Sequence, residues 1–452
     1  MDKFRSNSIS QDEAHVTLAQ YLKFYVPLAA TGVMLMMNHT TASSAVARAA
    51  DPAIGLSAYA SAFAVGNLFE IMCFGMQRMG LTFIRGTKSM KVVFATAFKI
   101  LAVITGTMAI LSWTPLADFL TGRILGLTPE VAEKTIYSLR LMILWPAVSA
   151  IRSLFQSRVV VGKKTGWVTV AMAFRLGASL TAAVFLPKIW PYGPVGAVIL
   201  VGGLAAEMLV SGIAAWRFVP PLPEEGPEQT IPTGMDILRF FVPLALAQMA
   251  TPLVRSVMIG SLARTVNSEL TLSGYQMATS LSGILSAVTI HMYQPVMVMV
   301  RDRRTFREIR KYSWIVGGVA CVAILLCSLP GIGTLVLGGI MGAPPDIAAS
   351  AMTALGVLAI SPMLNATNEF NSGILMLKKR TVWVTACKIT NATVCALSIV
   401  VLTRLFPSGG AMLAALASML GGTGEAVLSY ATVKRLHECR EYLEERHAAA
   451  AG

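Results

Sequence analysis

The chain has 452 residues, 55% hydrophobic and only 13% charged, about half the charged share of an average soluble protein. That excludes a soluble globular fold, while 37 Gly without a period and 6 scattered Cys exclude collagen-like and disulfide-stapled scaffolds. What remains is an all-α polytopic membrane protein, whose net charge of +14 belongs to loops on one side of the bilayer; no nucleic-acid partner is expected.

Apolar stretches between charged breaks predict transmembrane spans at about 20–46, 53–82, 92–113, 135–160, 166–187, 194–216, 236–260, 271–299, 312–330, 347–376, 381–405 and 410–433. That makes twelve helices. The Met1-Asp2-Lys3-Phe4-Arg5 start is polar and carries no apolar signal core, so the first span is expected to stay in the mature protein. With the N-terminus inside, the inner segments hold 24 Lys and Arg and the outer ones 6. This bias places both termini in the cytoplasm of a multi-pass protein of the plasma membrane or bacterial inner membrane.

A shift of 216 residues superimposes the two halves. It carries Phe24-Tyr25-Val26-Pro27-Leu28 onto Phe240-Phe241-Val242-Pro243-Leu244 and Leu56-Ser57 with Tyr59 onto Leu272-Ser273 with Tyr275. Arg85 falls on Arg301, Pro146 on Pro362, and Trp167-Val168-Thr169 on Trp383-Val384-Thr385; with a small drift, Gly203 and Glu207 match Gly421 and Glu425. Equivalent segments lie six spans apart, so the repeats share one orientation: two parallel six-helix lobes related by an axis along the membrane normal. The expected organisation is an N-terminal lobe over 1–216, a Pro/Glu/Gly-rich cytoplasmic linker over 217–234, a C-terminal lobe over 235–433 and a cytoplasmic tail over 434–452.

A six-plus-six chain with these features resembles the multidrug, oligosaccharidyl-lipid and polysaccharide exporter superfamily. Within it, the chain is similar to the progressive ankylosis proteins. The resemblance rests on the Phe24–Leu28 start of span 1, on PLALAQMATPLVRSVMIGSLAR at 243–264 with Arg255 and Arg264, on LKKRTVWV at 377–384, and on Gly424-Glu425. It implies a V-shaped two-lobed transporter working by alternating access, with a central cleft lined mainly by spans 1, 2, 7 and 8. Progressive ankylosis proteins are associated with export of citrate, pyrophosphate and nucleotides. The wider superfamily also moves organic cations and lipid-linked sugars.

Charge within hydrocarbon costs several kcal/mol, so each intramembrane ionisable group needs a partner, a wet cavity or a function. By position these are Glu70, Lys99, Arg152, Arg175, Glu207, Arg255, Glu369, Lys388 and Glu425, with His39 and His291 also inside spans. Arg175 with Glu207 and Lys388 with Glu425 read as one structural ion pair per lobe, on spans 5–6 and 11–12. Lys99 can snorkel to its cytoplasmic end, and His291 reads as a hydrogen-bonded packing residue. The expected anion site is Arg255 with His39, which the 216 shift places opposite it, Arg152 in support, and the polar groups of Asn38, Gln248 and Asn365. A guanidinium matches carboxylate or phosphate in two hydrogen bonds and cannot discharge itself. Glu70 or Glu369 could carry a coupling proton or sodium, or pair with a cation instead. Asn365, Asn368 and Asn371 also fit helix–helix adhesion.

The expected function is therefore a secondary transporter exporting small organic or phosphate-bearing anions. A cation-coupled multidrug or lipid-linked precursor exporter is the alternative within the superfamily. A membrane-embedded transferase using His39 is the alternative from another class. No Walker motif and no metal-ligand spacing occur, so neither enzymatic activity nor a cofactor is expected.

Overall fold

The computed structural model describes residues 16–225, 231–262 and 264–436, apart from the side chains of Met36, His39, Thr40, Pro52, Ala53, Thr251, Leu253 and Ser256. Twelve helical rods follow one another: α1 Leu18–Val46, α2 Pro52–Phe83, α3 Thr87–Trp113, α4 Pro129–Val161, α5 Gly166–Ile189, α6 Val195–Arg217, α7 Gly234–Leu262, α8 Ser268–Met299, α9 Arg303–Ser328, α10 Pro345–Leu358 continued by Ser361–Leu377, α11 Thr381–Leu405 and α12 Met412–Arg435. Nine are long and apolar enough to cross a membrane, and the two halves of α10, bent by 41°, pass together as a tenth. α1 and α7, 29 residues each, complete the set.

The repeat is written into the backbone at the 216 spacing. Three pairs of residues adopt positive φ: Asp51 and Asn267, Gly126 and Gly342, Lys163 and Lys379. A π-helical turn follows α3 at Phe119–Ile124 and α9 at Thr334–Ile340. Pro129 and Pro345 both open the next rod at its first turn, where a missing N–H costs nothing. Pro362 begins the second half of α10. Without an N–H it cannot bond the carbonyl of Leu358, where the first half ends.

Three rods begin earlier than hydropathy predicts, because caps rather than polarity decide a helix start. α9 starts at Arg303, nine residues before the expected 312. The Asp302 carboxylate accepts from Thr305 N at 2.8 Å and the Thr305 hydroxyl accepts from Asp302 N at 3.1 Å. α3 starts at Thr87 rather than 92, and α4 at Pro129 rather than 135. Lys99 consequently lies three turns inside α3, deeper than expected, with an exposed side chain.

The compact units do not divide at the 217–234 linker as expected. One comprises residues 30–249, the other 250–452 together with the chain before residue 30, so the boundaries fall inside α1 and α7. The repeated Phe-aromatic-Val-Pro-Leu motif explains this. In the unit built on the second repeat, Tyr21 and Tyr25 stack at 5.4 Å. The Tyr21 hydroxyl lies 3.3 Å from Ser313 Oγ, and Tyr25 donates to the Val288 carbonyl. Just before α1, Val16 N donates to Glu308 of α9 at 2.9 Å, and Tyr312 Oη donates to the Val16 carbonyl. In the other unit, Phe240 meets Phe83 edge-on at 5.2 Å, and Phe241 packs so close to Gly75 that a Cβ there would sit 3.0 Å from its ring. The second half of α1 contributes Ala42, Ala45 and Val46 to a core with Tyr59, Met142, Trp145 and Leu204. The end of α7 contributes Met258 and Leu262 to a core with Ile399 and Leu413.

Among the described residues, the linker is held to the start of α3 through the Pro223 carbonyl, which accepts from Thr87 N and the Thr87 hydroxyl, and through Glu225. Asp302 caps α9, but its counterpart before α3 is Gly86, which has no side chain. Glu225 fills that place: its carboxylate accepts from Lys88 N and Ser89 N, both at 2.8 Å, and a Cβ on Gly86 would lie 2.4 Å from the Glu225 carboxyl carbon. Desolvation acts to raise the Glu225 pKa, but donation from the Ser89 hydroxyl and the Ser89 and Lys88 amides outweighs it and holds the pKa at about 2. A depressed carboxyl pKa contributes stability that is complete above its unfolded value and lost as pH falls toward the folded one. The tether should therefore hold at neutral pH and release only toward pH 2. Glu225→Gln should release it at neutral pH, read as faster limited proteolysis between α6 and α7; unchanged cleavage would show that the tether does not restrain the linker.

Candidate functional site

Among the described residues, each unit holds a cluster of opposite charges shared by three helices. In the unit of residues 30–249, Glu207 on α6 sits between two guanidinium groups. Arg152 Nη1 of α4 lies 2.9 Å from Oε1, and Arg175 Nη1 of α5 lies 3.0 Å from Oε2. Gln156, one turn beyond Arg152, donates to Glu207 Oε1 at 2.8 Å. Asn38 of α1, wholly buried, accepts from Arg175 Nη2 and Nε, both at 3.1 Å, and donates to Ser179 Oγ at 2.8 Å. Glu70 of α2 accepts from the Ser149 hydroxyl at 2.9 Å. Gly203 makes the approach of α5 and α6 possible, since a Cβ there would lie 2.2 Å from Ser179 Oγ.

The second unit has the same architecture with the signs exchanged. Lys388 on α11 lies between two carboxylates, 2.8 Å from Glu425 Oε1 on α12 and 3.2 Å from Glu369 Oε1 on α10. Asn391, which the 216 shift places on Arg175, donates to Glu425 Oε2 at 2.7 Å. Gly421 plays the part of Gly203: a Cβ there would lie 2.8 Å from the Asn391 carbonyl. Asn368 donates to the Gly422 carbonyl at 3.2 Å and Asn371 to Ser429 Oγ at 2.9 Å, joining α10 to α12.

Two of the expected ligand residues contact side chains of their own unit. The Arg152 guanidinium donates to Glu207. Asn38 is likewise committed to Arg175 inside the helix bundle. Glu369, expected to carry a coupling ion, shares Lys388 with Glu425. His291 lies 3.2 Å from Gln294 through Nδ1. The side chain of His39 lies outside the described residues, Gln248 is half-buried, and Asn365 is exposed on α10. Arg255 is exposed on α7, about two turns before its end. Its guanidinium donates to the neutral amide of Gln276 on α8 at 3.4 Å.

The sequence reading missed Gln156, Ser149 and Asn391 as cluster members. Gln156 had a signal, lying four residues after Arg152 on one helix face. Asn391 had one too, as the repeat counterpart of Arg175.

The twelve-helix fold is similar to that of solved MATE transporters of the MOP superfamily. A variant of a Vibrio cholerae MATE transporter superimposes with a TM-score of 0.74 at 12% identity, covering 94% of this chain and 99% of that one. A MATE transporter in complex with the ligand MaD3S gives 0.72 at 12% identity, with 93% and 97% covered. A superfamily transporter from Pyrococcus furiosus, for which reverse polarity of the binding pocket suggests a different function, gives 0.68 at 12% identity, with 93% and 96% covered. No family model matches the sequence, and no curated protein does.

Removing one member of a buried ion cluster strands the rest. Glu207→Gln leaves two buried guanidinium groups facing a neutral amide and should cost about 3–5 kcal/mol of stability. Glu369→Gln leaves Glu425 on the partly exposed Lys388 and should cost less than about 1 kcal/mol. Thermal melts of the two variants in one detergent check the ranking; equal melting temperatures would refute the difference.

Proposed function

We propose that this chain is a secondary transporter that exports small organic or phosphate-bearing anions by alternating access, with Arg255 as the cation that meets the ligand. The observation that carries the reading is the contrast between Arg255 and the ionisable groups gathered around Glu207 and Lys388. Glu207, Glu369 and Glu425 each contact a buried or half-buried cation, and Glu70 is buried against Ser149. Arg152, Arg175 and Lys388 are spent on those carboxylates. Arg255 is exposed, and among the described residues its one hydrogen-bond acceptor is uncharged. A guanidinium in that state favours a planar, multidentate anion. Within the same unit as Arg255, Asn365 is exposed on α10 and carries an amide able to donate to a carboxylate or phosphate.

The resemblance to progressive ankylosis proteins supports the same substrate class. So does the precedent, within this fold, of a transporter whose binding-pocket polarity is described as reversed. Glu70 and Glu369 are the carboxylates available for coupling to a proton or sodium. The likeness to multidrug MATE transporters favours a second reading, export of organic cations. That reading requires an acidic ligand surface, whereas Glu207, Glu369 and Glu425 each face a cation of their own cluster and only Glu70 meets a neutral partner.

Counterflow in proteoliposomes against citrate, malate, pyrophosphate, ATP and an organic cation separates the two readings. Anion exchange is expected. Arg255→Gln keeps a polar side chain but loses the charge, so it should weaken anion affinity by roughly 1.5–3 kcal/mol, on the order of ten- to a hundred-fold, without loss of expression. Normal anion transport by Arg255→Gln, or exchange of the organic cation alone, would refute the proposal.

A further inference from the structure

The first third of α9 carries a charge pattern that the transport reading does not use. Arg303, Arg304, Arg307, Arg310 and Lys311 fall within its first nine residues, accompanied by one acid, Glu308. Positive charge at a helix N-terminus opposes the helix dipole, so this arrangement is locally unfavourable unless an anion offsets it. Glu308 offsets part of it, lying 3.3 Å from Arg304 while also accepting from Val16 N.

Lys311 heads a single exposed face. Residues 311, 315, 319, 322 and 326 follow at helical spacing, and Ile315, Val319, Val322 and Leu326 are 45%, 67%, 57% and 44% exposed. In a membrane protein that face meets acyl chains. Trp314 is exposed beside it, between the cationic start of the helix and its apolar run, the place in a sequence where an indole favours the membrane interface. The Arg310 guanidinium is held between two rings, 5.3 Å from Trp314 and 5.4 Å from Phe306, which fixes its height on the helix. Arg310, Lys311, Trp314 and Ile315 together line one shallow groove. Within about 12 Å along the helix the surface passes from cationic through aromatic to aliphatic.

The repeat supplies an internal comparison. At the corresponding places α3 has Phe94 for Arg310 and Ala95 for Lys311. Lys88 and Lys91 stand for Arg304 and Arg307, but Lys99 stands for Ile315, so the adjacent Arg310–Lys311 pair running into an aliphatic face is a property of α9 and not of the fold.

We propose that this groove is a binding site for an anionic phospholipid, with the headgroup phosphate at Arg310 and Lys311 and the acyl chain along Ile315, Val319 and Val322. Charge complementarity commits it to an anionic headgroup. The apolar continuation of the same face commits it to a lipid in preference to a free anion.

The full chain in nanodiscs tests this. Thermal melts are compared between phosphatidylcholine alone and a 3:1 mixture with phosphatidylglycerol, and native mass spectrometry counts the retained lipids. The wild-type chain should melt higher with phosphatidylglycerol and retain it. Lys311→Glu should lose most of that shift and retention, Lys311→Arg should keep both, and Arg310→Gln should reduce them. The exposed Lys311 variants should melt like wild type in phosphatidylcholine, so a failure to fold is distinguishable from a failure to bind. An equal shift in Lys311→Glu, or the same shift from glycerol phosphate added to phosphatidylcholine nanodiscs, would overturn the proposal.

Discussion

Burial of Glu207 between Arg152 and Arg175 is the constraint on which the first-repeat unit depends. Three ionised groups on α4, α5 and α6 cannot enter hydrocarbon separately, and the two guanidinium groups are tolerated because Glu207 lies within 3.0 Å of each. The cluster demands that three helices meet at one height, and it recruits α1 through Asn38. Small residues make the meeting possible: where Gly203 stands, any side chain would hold α6 away from Ser179 and pull Glu207 off Arg175.

The second-repeat unit solves the same problem with opposite signs. One ammonium serves two carboxylates, and Asn391 takes the position that Arg175 holds in the first repeat. Backbone geometry is shared down to positive-φ residues 216 apart, yet the charge chemistry is exchanged. A parallel repeat therefore fixes where polar groups must converge without fixing their sign. The clusters absorb Arg152, Arg175, Lys388 and the carboxylates around them, which is why the function we propose rests on Arg255.

α1 and α7 each begin in one compact unit and end in the other. Their aromatic starts are docked by different means, hydroxyl hydrogen bonds for Tyr21 and Tyr25 and ring packing for Phe240 and Phe241. A single sequence motif thus specifies a role, the anchoring of a helix start, while the chemistry of anchoring follows from what surrounds it.

Much of the architecture was determined by the sequence alone. Hydrophobic run length dictates twelve spans, since a backbone in lipid must satisfy its own hydrogen bonds. The 216-residue register dictates two parallel repeats, because six spans between equivalents preserve orientation. Arg175 with Glu207 and Lys388 with Glu425 could be matched because equivalent helices carried them at similar depth. Tertiary structure decided the rest. Helix starts at Arg303 and Thr87 depend on caps, one of them donated by Glu225 from 136 residues away. Arg152 and Asn38 look like ligand residues in sequence, because depth in a helix says nothing about which way a side chain turns. Their commitment to Glu207 and Arg175 is a matter of helix rotation, set by packing across α4, α5 and α6, and no linear pattern in the chain encodes it.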